Sequence, residues 1–301
     1  MVAINNKRKV PLSKHVQYFF EACGVYLAYG FFWLMPIDTA SDMGGKIMRF
    51  LGPRMAASRK ALRNIERAMP ETTEEERQKI LKDMWENLGR VFAEYPHLDK
   101  LYDRIETQGL EVFEKIRNTH DRGAILIGAH IANWEVYALG TKINNVPLHL
   151  VYRPPNNYFL DGMIRWTRKR AGAISNIPKN VTGTRQMVAA LKSHEKIGAL
   201  IDQKFNSGVA VPFFNMPAMT TPAVVQMSLR FDVPLYPVRI VRTKGCQFKI
   251  MIEPALDVPD VDNEDEKTYQ MLLNIHKKYE SWIREEPGQW LWIHRRWKLK
   301  K

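Results

Sequence analysis

Cysteine is scarce in this chain, and the scarcity excludes a good deal. Cys23 and Cys246 lie far apart without metal-ligand spacing, which removes a disulfide-stapled scaffold and a zinc finger and fits a reducing compartment. Neither is a convincing nucleophile. No Gly-x-Ser-x-Gly occurs, so the nucleophile elbow of the serine hydrolases is missing. The sequence holds no internal repeat, no low-complexity linker and no spaced nucleic-acid motif, which sets aside solenoids and the familiar DNA and RNA readers. Acidic residues are in deficit too: 32 Asp and Glu face 45 Lys and Arg, a net charge of +13. Such a balance suits an anionic partner, and a membrane surface, an acidic protein or nucleic acid would each serve. At 301 residues the chain can bury a sizeable core, and it reads as one domain with an appendage.

Long apolar runs are equally rare, with one exception. From Val16 to Ile37 the sequence is polar only at Gln17 and Glu21 and is rich in Phe, Tyr and Leu. A helix of that length reaches ~33 Å, enough for a hydrocarbon core of about 30 Å. Glu21 could snorkel, and the Tyr and Trp positions suit a membrane boundary. The expectation is a membrane anchor over residues 1–45, followed by a catalytic domain over residues 46–301. A cleaved signal peptide and an interfacial or buried helix are the alternatives. Lys7, Arg8, Lys9 and Lys14 precede the run and Lys46, Arg49 and Arg54 follow it, so charge alone does not orient it.

Downstream, periodicity predicts helices over Ala56 to Met69 and Thr73 to Tyr95. The second opens on Thr73-x-x-Glu76, a capping-box pattern. Strand candidates are Ala124 to Gly128, Leu148 to Tyr152, Gly198 to Asp202, Leu235 to Val241 and Phe248 to Glu253. Helices are expected near Asn133 to Lys142, Tyr158 to Ala171, Thr184 to Ser193, Thr221 to Phe231 and Glu264 to Glu285. This alternation predicts an α/β fold with a mainly parallel central sheet covered by helices. The turn Thr243-Lys-Gly-Cys246 makes a hairpin of the last two strands, so the sheet should be mixed.

The chemistry concentrates in Gly123-Ala-Ile-Leu-Ile-Gly-Ala-His130-Ile-Ala-Asn-Trp-Glu135. Its apolar part reads as a buried strand delivering His130 to a loop at the sheet edge, where α/β enzymes keep their reactive groups. With a helix starting after His130, Glu135 could turn back, fix the imidazole tautomer and leave the other ring nitrogen as a general base. A capping histidine beside a solvated glutamate is the structural alternative.

His130-x4-Glu135 resembles the His-x4-Asp/Glu motif of the lysophospholipid acyltransferase superfamily. Its surroundings are similar to the lipid A biosynthesis acyltransferases of Gram-negative bacteria. Three further blocks carry the resemblance: Val151-Tyr-Arg153-Pro-Pro-Asn-Asn157, Ile201-Asp202-Gln203 leading to Val211-Pro-Phe-Phe214, and the tail Pro287-Gly-Gln-Trp-Leu-Trp-Ile-His-Arg-Arg-Trp-Lys298.

The resemblance implies transfer of a fatty acyl group from acyl carrier protein to a lipid A precursor at the cytoplasmic face of the bacterial inner membrane. It needs no cofactor and no metal, and His130 would be the base with Glu135 its orienter. Arg153, which ends a strand candidate at the presumed active edge, is a candidate for binding substrate, with a surface arginine at a turn as the alternative. The resemblance further implies an essential arginine, best matched by Arg170 and suited to holding a phosphate, and a functional Asp202. An Asp202–Arg170 ion pair would satisfy both a structural and a functional reading. Guanidinium forks suit phosphate. Other lipid acceptors, such as a glycerophospholipid, a glycolipid or an ornithine-type lipid, fit the same chemistry. So, less well, does a non-catalytic basic module in which His130 is structural. A hydrolase using water in place of the alcohol is a further alternative.

Overall fold

The computed structural model describes residues 11–297, so Lys7, Arg8, Lys9 and Lys298 lie outside the described residues. Its helices are α1 (Leu12–Trp33), α2 (Ile37–Leu51), α3 (Ala56–Ala68), α4 (Glu74–Glu94), α5 (Leu110–Asn118), α6 (Tyr137–Ile143), α7 (Asp161–Arg170), α8 (Val181–Lys192), α9 (Ala223–Phe231) and α10 (Glu264–Glu285). The strands are β1 (Ile105–Gln108), β2 (Ala124–Gly128), β3 (His149–Tyr152), β4 (Asn176–Pro178), β5 (Lys196–Leu200), β6 (Val209–Phe213), β7 (Met216–Thr220), β8 (Leu235–Lys244) and β9 (Gln247–Ile252).

Seven strands form one sheet in the order β1-β9-β8-β2-β5-β3-β4. Only the β8–β9 hairpin pairs antiparallel in it, and the other pairs are parallel. The mixed, mainly parallel sheet matches the expectation. Strand β2 lies at its centre, every residue buried, as an uninterrupted Ala-Ile-Leu-Ile-Gly run requires when helices cover both faces. A separate hairpin, β6–β7, occupies the Pro- and Met-rich stretch that carries no strand signal in the sequence.

The amino-terminal segment corrects one expectation. The helix begins at Leu12 and ends at Trp33, and Pro36 caps the next helix. Among the described residues, no helix is long and apolar enough to cross a membrane. The apolar run owes much of its length to tyrosines, whose hydroxyls are polar and here find protein partners. Tyr26 donates to the Phe159 carbonyl, Tyr29 meets Thr167 at 3.2 Å, and His15 meets Tyr158 at 2.6 Å. One side of α1 therefore lies against the body of the fold. The other side leaves Leu12, Val16, Phe20, Leu27, Phe31 and Leu34 exposed, spaced three, four or seven residues apart and so along one helical face. The expected boundary after residue 45 falls inside α2.

Helices α2 and α4 cross closely because both are glycine at the contact. A Cβ on Gly89 would sit 2.2 Å from the Gly44 carbonyl oxygen, and one on Gly44 would sit 2.6 Å from the Gly89 oxygen. Helix propensity alone favours alanine over glycine by about 1 kcal/mol, yet here the obstacle is backbone. Gly89→Ala is expected to destabilise the fold by about 1–3 kcal/mol as an overpacking change. A thermal melt equal to the parent's would show that the two helices separate freely.

The tail after α10 is packed rather than trailing. Trp297 donates its indole N–H to the Phe213 carbonyl at 3.0 Å, and Asn64 donates to the Trp292 and His294 carbonyls at 2.8 Å. Arg296 is fully buried; one of its terminal nitrogens donates to Thr220 at 2.7 Å and to Nε2 of the buried His276 at 3.0 Å. Burial, with the neighbouring Arg296 charge, brings the His276 pKa down to about 3. An unfolded histidine titrates near 6.5, so between the two values the unfolded chain binds the extra proton. Stability from this residue is complete above about 6.5 and declines as pH falls toward 3. Unfolding free energies from urea titrations should drop between pH 7 and pH 4 by an amount on the order of 3 kcal/mol, and His276→Gln should flatten that acid limb. A limb just as steep in the variant would place the titration elsewhere.

Candidate active site

The carboxyl edge of the sheet assembles the candidate groups in an order that strand pairing dictates. In the β2–β5 register Gly128 stands opposite Leu200, and each strand ends there. Two residues further on come His130 and Asp202, so neighbouring strands deliver them to the same height. Arg153 follows β3 by one residue and Lys179 follows β4 by one. His130, Arg153, Lys179, Gln203 and Arg168 all line one open cavity of about 340 Å³. Ligand sites at this edge are the general rule for open α/β sheets.

Asp202 is the hub. Its carboxylate accepts from His130 Nδ1 at 2.7 Å, from the His130 backbone amide at 3.0 Å and from the Trp290 indole at 2.8 Å. Only 2% of the residue is exposed. Burial alone would push its pKa up, but the His130 ring and amide and the Trp290 indole outweigh that and hold it well below the usual carboxylate range. An ionised, acceptor-only partner fixes the proton on Nδ1 and leaves Nε2 with its lone pair.

Glu135 therefore does not have the place the motif suggested. Its carboxylate receives both arms of Arg168, at 2.7 Å each, and the Trp134 indole at 3.1 Å. The reason is local: Asn133 caps a short 3-10 turn over Trp134–Val136 by accepting from the Glu135 amide, which directs the side chain toward α7 instead of the imidazole. Arg168 is thus oriented by Glu135, and burial of its charge is more than offset by that carboxylate, which keeps its pKa above the ordinary value. Arg170, expected at the site, is two residues away on the same helix and so ~200° round it. It pairs with Asp99 at 2.5 Å and lies over the Trp166 ring. The anticipated Asp202–Arg170 pair is replaced by two others, Asp202–His130 and Glu135–Arg168.

The loop from His130 to Glu135 is clamped from behind. Ala132 has a left-handed φ of 52°, a strained conformation for a residue with a Cβ. Its amide donates to the Gln289 carbonyl at 3.0 Å, and its own carbonyl accepts from Asn87 at 2.9 Å. Leu291 donates to the His130 carbonyl at 3.1 Å. Asn133 donates at 2.7 Å to Glu94, a fully buried carboxylate that also accepts from Ser41 at 2.6 Å and from both terminal nitrogens of Arg242. Cys246 abuts the same carboxylate, and burial, reinforced by that charge, pushes its thiol up to about 12. It is no thiolate nucleophile.

Sequence reasoning passed over Lys179 and Glu94. Arg168 stands in a basic cluster with Arg165, Lys169 and Arg170, and Gln203 and Trp290 lie in blocks that carry the resemblance, yet none of the three was given a site role. The tail block contained Trp290, but nothing in its spacing says that an indole reaches a strand end 88 residues earlier. Lys179 donates to the Leu200 carbonyl at 3.3 Å. Its ammonium pKa is lowered by the crowding of surrounding protein, with the Arg153 charge adding to the effect.

A histidine–aspartate pair opening onto a cavity ringed by cations fits one set of relatives. The model of the bacterial lipid A biosynthesis acyltransferases matches residues 7–299. The chain belongs to this family. It is 29% identical over 292 residues to the lipid A biosynthesis lauroyltransferase of Escherichia coli K12, covering 91% of each protein. It is 26% identical to the lipid A biosynthesis palmitoleoyltransferase of the same organism, covering 84% of this chain and 86% of that one. A lipid A biosynthesis acyltransferase of Haemophilus influenzae is 27% identical over 83% of this chain and 79% of its own. Membership makes the protein an acyltransferase.

The Glu135–Arg168 pair lends itself to a double-mutant cycle. Arg168→Met leaves a buried carboxylate without its cation and is expected to cost about 3–5 kcal/mol of stability. Adding Glu135→Leu should recover a large part of that loss. Strictly additive denaturation energies would mean that the two side chains do not interact.

Proposed function

We propose that this acyltransferase moves a fatty acyl chain from acyl carrier protein to a hydroxyl of a lipid A precursor at the cytoplasmic face of the inner membrane. The single observation that carries the mechanism is the bond from His130 Nδ1 to the buried Asp202 carboxylate, because it leaves Nε2 as a base facing the cavity. The acceptor hydroxyl attacks the thioester carbonyl while Nε2 takes its proton. Collapse of the tetrahedral intermediate breaks the C–S bond, and the proton passes to the departing thiolate. No acyl-enzyme is required.

Roles are thereby redistributed from those the motif suggested. Asp202 orients the base and stabilises the imidazolium as it forms. Glu135 holds Arg168 so that its guanidinium can meet negative charge in the cavity, where Arg153 stands as a second cation. Arg170, paired with Asp99, serves the fold of α7. Acyl carrier protein is acidic, which suits the net charge of +13.

The lipid substrate reaches this edge from the membrane surface. Phe159 packs on Phe19 of α1 with ring centroids 6.1 Å apart, which joins the loop after Arg153 to the helix whose outer face is apolar. Helix α1 lies in the interface of one leaflet with Phe20 and Leu27 turned into it, 68% and 75% exposed in the isolated chain.

Purified protein should transfer label from acyl-acyl carrier protein to a lipid A precursor, and His130→Ala should lower that rate about 10²- to 10⁴-fold with an unchanged thermal melt. Transfer within a few-fold of the parent rate would make His130 structural. Transfer to a glycerophospholipid but not to the lipid A precursor would reassign the acceptor.

A further inference from the structure

The nitrogen that must take the proton is already engaged. Gln203, the residue after Asp202, places its side-chain amide nitrogen 3.2 Å from His130 Nε2. With Nδ1–H given to Asp202, Nε2 has only a lone pair to offer, so the amide is the donor. Among the described residues Gln203 is the donor that reaches this nitrogen. Trp134 meets the imidazole only as an edge contact, with ring centroids 5.3 Å apart. Gln203 is half-buried and lines the same cavity as His130, so its amide has room to move aside.

We propose that Gln203 is a displaceable cap on the catalytic base, which keeps water from being activated there until an acceptor alcohol takes its place. The proposal rests on His130 being the base. A thioester bound beside an uncapped imidazole is at risk from solvent. Water oxygen would bond to the carbonyl carbon as Nε2 removed its proton, the C–S bond would break, and the proton would return to the sulfur. The products would be free fatty acid and free thiol, with the acyl chain wasted. The open cavity of about 340 Å³ admits water, so exclusion by shape alone does not protect the donor. A single amide hydrogen bond does, because water gains little by replacing it. The acceptor brings binding energy from its phosphates, sugar and acyl chains, so its hydroxyl can displace the amide. Discrimination between alcohol and water then comes from energy supplied far from the reacting atoms.

The test compares hydrolysis with transfer in the full-length protein, using acyl coenzyme A as the thioester probe and thiol release as the readout. Gln203→Met keeps the length of the side chain without a donor, and Gln203→Ala opens the space. Without acceptor, both variants should release thiol about tenfold faster than the parent, and the ratio of hydrolysis to transfer, measured with the lipid A precursor present, should rise with it. Adding His130→Ala to either variant should abolish the gain. The idea is overturned if hydrolysis does not rise in Gln203→Met, if hydrolysis and transfer fall together, or if the gain survives loss of His130. The hydrolysis arm needs no acceptor. A parent enzyme that releases thiol yet acylates no lipid A precursor would refute the acceptor assignment and leave the cap comparison to stand on its own.

Discussion

A buried negative charge must be surrounded by donors, and Asp202 sets that requirement for the whole carboxyl edge of the sheet. A carboxylate that is 2% exposed persists as an ion only if hydrogen bonds replace its lost hydration. Three donors do so: the ring and the backbone amide of His130, two residues beyond β2, and the Trp290 indole from the tail. The register of β2 against β5 supplies the height, Tyr279 fixes the strand end by donating to the Gly128 carbonyl at 2.8 Å, and the Trp290 indole closes the far side. Loosening any of these leaves either an uncompensated charge or an imidazole free to rotate. The tautomer of His130 is thus a property of the assembled sheet and tail, and the motif loop alone does not determine it.

Glu94 repeats this logic one layer deeper. It is wholly buried and compensated by Arg242, and it joins α2, α4 and β8 to the loop that carries His130 through Asn133. The left-handed Ala132 between them is held by bonds on both its amide and its carbonyl. Strain at one residue is tolerable where the surroundings leave it no alternative.

Much of the fold was legible because its signals were local. The strand before His130 is an apolar run bounded by glycine, and the Thr73–Glu76 capping box appears as the sequence spells it. Helix α10 has the expected ends. The partners of the site were not legible, because they are tertiary. Glu135 and His130 are close in sequence, yet a three-residue turn aims them at different neighbours. Asp202 and His130 are 72 residues apart and meet only because β2 pairs with β5. Strands β1 and β4 are too short, at four and three residues, to stand out by alternation. The membrane reading of the first helix counted tyrosines as hydrocarbon, whereas their hydroxyls bind the enzyme body.

The Trp290 bond has a consequence for how the enzyme comes into being. During synthesis the sheet and His130 emerge well before the tryptophan that completes the aspartate's shell. A nascent or prematurely terminated chain lacking this residue carries a half-solvated carboxylate and an imidazole without a settled orientation. Docking of the segment after α10 thus completes the donor set of Asp202, and without the Trp290 indole that buried carboxylate is one hydrogen bond short.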